Sequence, residues 1–116
     1  MRSIFVSAIL LAATTSHAAE LKCEIRQKFL CEESGCRITP PKVWNLVDTS
    51  NKTYSRRDSM GCDKYPAQFS AAGAFINIDV PGRGLTAKMS VDDSSFHEVA
   101  ALVHSIYVSF GSCVPN

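Results

Sequence analysis

The chain has 116 residues, with twelve Lys and Arg against eleven Asp and Glu, a formal net charge of +1, 46% hydrophobic residues and five cysteines. That length supplies one small domain with a modest core, of the kind that often needs covalent staples. The near-neutral balance excludes a basic nucleic-acid footprint and a polybasic membrane patch, so bulk charge selects no partner.

The first segment, MRSIFVSAILLAATTSHAAE, reads as an export leader. Arg2 gives a positive start, residues 4–13 form an apolar run, and Ser16-His17-Ala18 places small residues where a signal peptidase reads. Cleavage is expected near Ala18 or Ala19, giving a leader over 1–19 and one domain over 20–116. The run is too short to cross a bilayer, no later stretch is long and apolar enough, and Cys23 comes too late for lipidation at the cleavage point. The mature chain is therefore expected in the periplasm or secreted, with no integral membrane segment. Losing Arg2 leaves eleven basic and eleven acidic side chains.

All five cysteines, Cys23, Cys31, Cys36, Cys62 and Cys113, fall in the mature part. Export makes disulfides the default and metal binding a poor alternative, since no histidine lies at ligand spacing from a cysteine. The odd count leaves one thiol over, and sequence alone does not fix connectivity. The expected pairing is Cys23 with Cys113, tying the chain ends. Cys31 with Cys36 would close a small loop eased by Gly35, and Cys62 would stay free.

Strand signals dominate from there. Leu21, Cys23, Ile25, Gln27 and Phe29 share one face of an extended segment, and Lys22, Glu24, Arg26 and Lys28 share the other. Pro40-Pro41 interrupts the chain. Residues 43–47 and 53–56 read as a hairpin around a polar turn at 48–52. Residues 58–66 read as irregular. Residues 68–71 and 74–80 read as strands, with Ala74, Ile76, Ile78 and Val80 on one face, and Leu85, Ala87 and Met89 continue the alternation beyond a PGRG turn. In 95–104, Ser95-Phe96-His97-Glu98 fits a capping box, and Phe96, Val99, Ala100 and Val103 fit a helical stripe. Ile106, Val108 and Phe110 alternate as a strand does. Strands are preferred throughout, with a short helix over 95–104 as the alternative. The expected fold is all-β, a disulfide-stapled antiparallel meander of seven or eight strands closed into a small barrel or sandwich.

Catalytic signals are thin. His97 and His104 are seven apart and face opposite sides of a strand, Cys62 lies beside Asp63 and Lys64, and no phosphate loop, GxSxG or marked carboxylate pair occurs. No enzyme, cofactor or metal site is expected. Binding has more support. In VPGRGL, Pro81 presets the first corner of a turn and Gly82 accepts the positive φ of a type II turn, which stands Arg83 at a constrained tip. A guanidinium there can grip a carboxylate through two parallel hydrogen bonds.

These residues resemble the periplasmic or membrane-bound inhibitors of c-type lysozyme. These are small exported eight-stranded β-barrels with an early and a late cysteine, a Ser-Ala-Ser-Gly-Ala-type loop, a strand and a Lys-Gly turn. The matching features are Cys23 in LKCEIRQ, Ser70-Ala71-Ala72-Gly73-Ala74, a strand, Arg83-Gly84 and Cys113 in SFGSC. They cover the first strand and the last half of the mature chain. Ala72 stands where the family carries the serine that enters the lysozyme cleft, and Arg83 replaces its lysine. The resemblance implies a protein partner, c-type lysozyme, with Ser70 and Arg83 as contacts and Gly73, Gly82 and Gly84 shaping their loops. A glycoside hydrolase of that kind offers two carboxyl groups to a hydroxyl and a cation. The alternative is a structural or assembly protein of the bacterial envelope with no enzyme target. A small-ligand barrel is a third reading, but it needs an interior pocket, and the apolar residues suffice only to fill a small core. A thiol-dependent role for Cys62 is a fourth. The chain is expected as a monomer or, through its odd cysteine, a dimer.

Overall fold

The computed structural model describes residues 20–116, so the leader reading lies outside the described residues. Among the described residues no helix forms, and no helix is long and apolar enough to cross a membrane. Ten strands follow in chain order: β1 (Glu20–Glu32), β2 (Gly35–Thr39), β3 (Trp44–Asp48), β4 (Thr53–Asp58), β5 (Gly61–Pro66), β6 (Gln68–Ala72), β7 (Phe75–Val80), β8 (Leu85–Ser90), β9 (Ser95–Ala101) and β10 (Ser105–Pro115).

All pairings are antiparallel. Nine strands form one path, β5-β4-β3-β1-β10-β9-β8-β7-β6, and β2 pairs β1 beside it. The two ends of the path, β5 and β6, are consecutive in the chain and joined by Ala67 alone. Alternation of direction along the path makes them run the same way, so they act as one bent strand that closes the barrel. The Ala67 amide donates to the Lys52 carbonyl at 2.9 Å across that bend. β10 covers one edge of β1 from Leu21 to Glu32, so β2 and β3 share its other edge, separated by the Pro40-Pro41 break. Counting β2 with β3 and β5 with β6 gives eight strands round the wall.

This accounts for the expected count of seven or eight strands. It also corrects the irregular reading of 58–66, which is mostly β5. The helix alternative over 95–104 is overturned. Phe96, Glu98 and Ala100 alternate inward on β9, and Glu98 turns into the barrel instead of back onto the Ser95 amide, which Asp93 accepts at 3.0 Å. The turn over 48–52 forms as expected. Asp48 accepts from the Ser50 amide at 3.1 Å and the Asn51 amide at 3.0 Å, and the Asn51 bonds hold its carboxyl below the usual range.

Both expected disulfides are present, and Cys62 is free and exposed. Each bridge joins residues that stand directly opposite in the ladder, Cys23 with Cys113 and Cys31 with Cys36. Two disulfides fit a non-reducing, exported environment.

The face assignment in β1 holds only to Ile25. A bulge between Ile25 and Gln27 inserts one residue and reverses the parity beyond it. Gln27 becomes exposed. Phe29 lies against Phe110 on the outer wall, ring centroids 6.2 Å apart, and Lys28 turns toward the interior. Gly111 makes the bulge feasible, because a Cβ there would stand 1.8 Å from the Glu24 carbonyl oxygen. Gly111→Ala is expected to lower stability by about 3 kcal/mol or more, because rigid backbone has to move. Gly82→Ala meets open space and has only its φ of +77° to overcome, so it should cost about 1 to 2 kcal/mol. Urea midpoints of the two variants measure the difference.

Cys23, Val47, Ile78, Met89, Phe96 and Cys113 fill the barrel interior, and Val80, Leu85 and Ala100 carry the apolar core toward the end opposite the chain termini, here the distal end. Two polar side chains are enclosed in this core, Asn45 directly opposite Cys23 and Glu98 on β9, both essentially inaccessible to water.

Candidate functional site

The expected binding residues divide between different parts of the wall. The chain direction puts the turns at 33–34, 59–60, 81–84 and 102–104 at the distal end. Those at 49–52, 73–74 and 91–94 lie at the terminal end. Gly73 and Gly82 therefore stand at opposite ends of the six-residue β7, about 20 Å apart. Ser70 is exposed midway along β6, opposite Asn77. Arg83, Gly82 and Gly84 come together, and Ser70 and Gly73 do not join them.

The turn at Arg83 has the expected geometry. The Arg83 amide donates to the Val80 carbonyl at 3.4 Å across Pro81 and Gly82, whose φ of +77° belongs to the third residue of a type II turn. Gly84 packs tightly. Its carbonyl accepts from the Ala101 amide at 2.7 Å, and a Cβ there would lie 2.5 Å from the Ala101 carbonyl oxygen. The loop is thus pinned both by its own bond and by the end of β9. Arg83 is exposed but not solitary, since its guanidinium carbon lies 5.2 Å from the centre of the Tyr65 ring. Arg83, Tyr65, Lys64 and Cys62 border an open cleft of about 570 Å³. His97 sits on the outer wall against Phe110, and His104 is exposed in the 102–104 turn.

A second feature, inside the barrel, escapes the sequence reading. Glu98 is 1% exposed and carries three partners. The Tyr54 hydroxyl donates to Glu98 Oε2, Asn45 Nδ2 donates to the Tyr54 oxygen at 2.9 Å and to Glu98 at 3.4 Å, and Arg56 Nη2 lies 3.1 Å from Glu98 Oε1. Burial above all, and then the Glu98 charge, pushes the Tyr54 hydroxyl pKa well above its ordinary value. Arg56 leads outward from this network to a cavity of about 240 Å³ at the barrel mouth, which Lys28, Asp58, Asp63 and Tyr107 also line. The Lys28 ammonium lies 4.6 Å from the Tyr107 ring centre. Burial, and next the Arg56 charge, draws its pKa below the usual lysine value. A signal for this cluster does exist in the sequence: Glu98 occupies the inward parity between Phe96 and Ala100. Nothing comparable marks Lys28, whose orientation depends on the bulge.

Among the described residues no group of three or more His, Cys, Asp or Glu side chains could hold a metal ion. Comparison with models of known protein families, with curated proteins and with solved structures finds no match.

Proposed function

We propose that this is an exported binding protein that blocks a c-type lysozyme by setting Arg83 against the carboxyl pair of the enzyme's cleft. The observation that supports this reading is the type II turn at the distal end, with exposed Arg83 as its closing residue and Gly84 locked to β9. A preset turn on a stapled barrel loses little freedom on binding, so more of the contact energy appears as affinity. The two carboxyl groups of a retaining glycosidase are about 5 Å apart, and a planar guanidinium can bond one or bridge both. Gly82 and Gly84 keep the flanks of the arginine free of side chains. The interface is drawn round the distal rim, with Ser70 as a peripheral contact at most.

The test is cell-wall lysis by c-type lysozyme with the purified protein in excess. Inhibition is expected, and Arg83→Glu should weaken it about 30-fold or more, as for a central interface residue. Ser70→Ala should change it less than about threefold. Undiminished lysis at micromolar excess of the protein overturns the reading.

A further inference from the structure

We propose that the distal mouth of the barrel binds a small zwitterion of the free α-amino acid class among the cations Lys28 and Arg56 and the carboxylates Asp58, two residues from Arg56 on β4, and Asp63, opposite Arg56 on β5. The site shares Asp63 with the cleft that Arg83 borders but does not include Arg83, and it stands whether or not the protein blocks a lysozyme.

Size comes first. The mouth cavity is about 240 Å³. That is room for about eight waters, and it falls below the 300 to 1,000 Å³ typical of drug-sized ligands. An occupant has few heavy atoms.

Charge decides the rest. Glu98 already has Tyr54, Asn45 and Arg56 as partners, so it offers little to a newcomer. Arg56 spends one Nη on Glu98, and its buried Nε has no partner. Lys28 is directed to the same space by the bulge and makes no ion pair within the described residues, only the contact with the Tyr107 ring. Its pKa is lowered by burial and by the Arg56 charge, which outweigh the opposing pull of Glu98 and Asp58. The carboxylates are similarly uncommitted. Asp58 uses Oδ1 to accept the Met60 amide at 2.8 Å and the Gly61 amide at 3.2 Å, and neither Asp58 nor Asp63 forms an ion pair within the described residues.

Two cations and two carboxylates thus line one small space without pairing among themselves. A simple anion would meet Lys28 and Arg56 but be repelled by the two aspartates. A simple amine would face the reverse conflict. A molecule with both charges a few ångströms apart satisfies both kinds of charge in this mixed lining, and Tyr107 and Leu102 supply apolar contact for a short side chain.

Amide chemical shifts in an NMR titration of the purified exported protein test this. The probes are glycine, L-serine and L-glutamine, with acetate and methylammonium as single-charge controls, each to about 20 mM, beyond the millimolar range of weak ligands. Saturable shifts at Lys28, Asp58, Asp63 and Tyr107 are expected with at least one amino acid. Acetate and methylammonium should bind at least about tenfold more weakly. Lys28→Met and Asp63→Asn keep side-chain size at the mouth, and each should weaken binding about tenfold or more while the spectrum stays that of the folded barrel. Three results overturn the proposal: no saturable shift with any amino acid, equal binding of acetate or methylammonium, or unchanged binding in both variants.

Discussion

Replacing Cys23 and Cys113 together by alanine is expected to remove about 4 to 5 kcal/mol of stability, by the loop-entropy relation for a closed loop of this length. The bridge spans a sequence separation of 90 and joins β1 to β10, the longest contact between strands in the barrel. Without it the unfolded chain regains nearly all its freedom, whereas the folded ladder still sets residues 23 and 113 opposite each other. A domain of this size has only about 5 to 15 kcal/mol in total, so the variant should be partly unfolded at 37 °C. Cys31→Ala with Cys36→Ala provides the contrast. That bridge spans a separation of 5 within the β1–β2 hairpin, and its loss should cost about 2 kcal/mol. Denaturant midpoints of the two double variants give the comparison. Equal losses would mean that the long bridge acts through native contacts and not through the unfolded chain.

The difference between these two bridges was legible in the sequence because cysteine spacing is a one-dimensional quantity. So were β7, the Pro81–Gly82 turn and β8, where apolar residues alternate without interruption on both sides of a marked turn. What was hidden depends on events that alternation does not encode. One inserted residue at Arg26 moves Lys28 inside and Phe29 outside, and the enabling glycine, Gly111, is 85 positions away in sequence. Closure through Ala67 is equally silent, because Pro66 ends β5 just before it and β5 and β6 pair with different neighbours. In β9 the helical and strand patterns both fit the apolar residues. The decision rests with Glu98, whose partners Asn45, Tyr54 and Arg56 come from β3 and β4. The Arg83 turn was read correctly as a local object, and its separation from Gly73 follows once β7 is known to run six residues without a register shift.

Arg56→Ala should destabilise the protein by about 3 to 5 kcal/mol, the cost of stranding a buried charge. The loss is asymmetric because the partners differ in access to water. Glu98 is 1% exposed, while the Arg56 side chain is 27% exposed and reaches the mouth. Glu98→Gln therefore leaves an arginine that can turn outward, and it should cost only about 1 to 2 kcal/mol. Arg56→Met with Glu98→Leu should recover most of the single-variant loss, since Asn45 and Tyr54 still bond each other at 2.9 Å. Alkaline unfolding supplies an independent reading of the same network. The folded-state pKa of Tyr54 is raised, so above pH 10 the unfolded chain loses a proton that the folded chain keeps. Stability then falls by about 1.4 kcal/mol per pH unit from this group, and the contribution is fully present below the unfolded value. Tyr54→Phe should lose part of its stability at neutral pH but shed that alkaline slope. If the slopes of the two proteins coincide above pH 10, Tyr54 ionises as readily inside the barrel as outside it, and the buried Glu98 network is not as closed as its geometry requires.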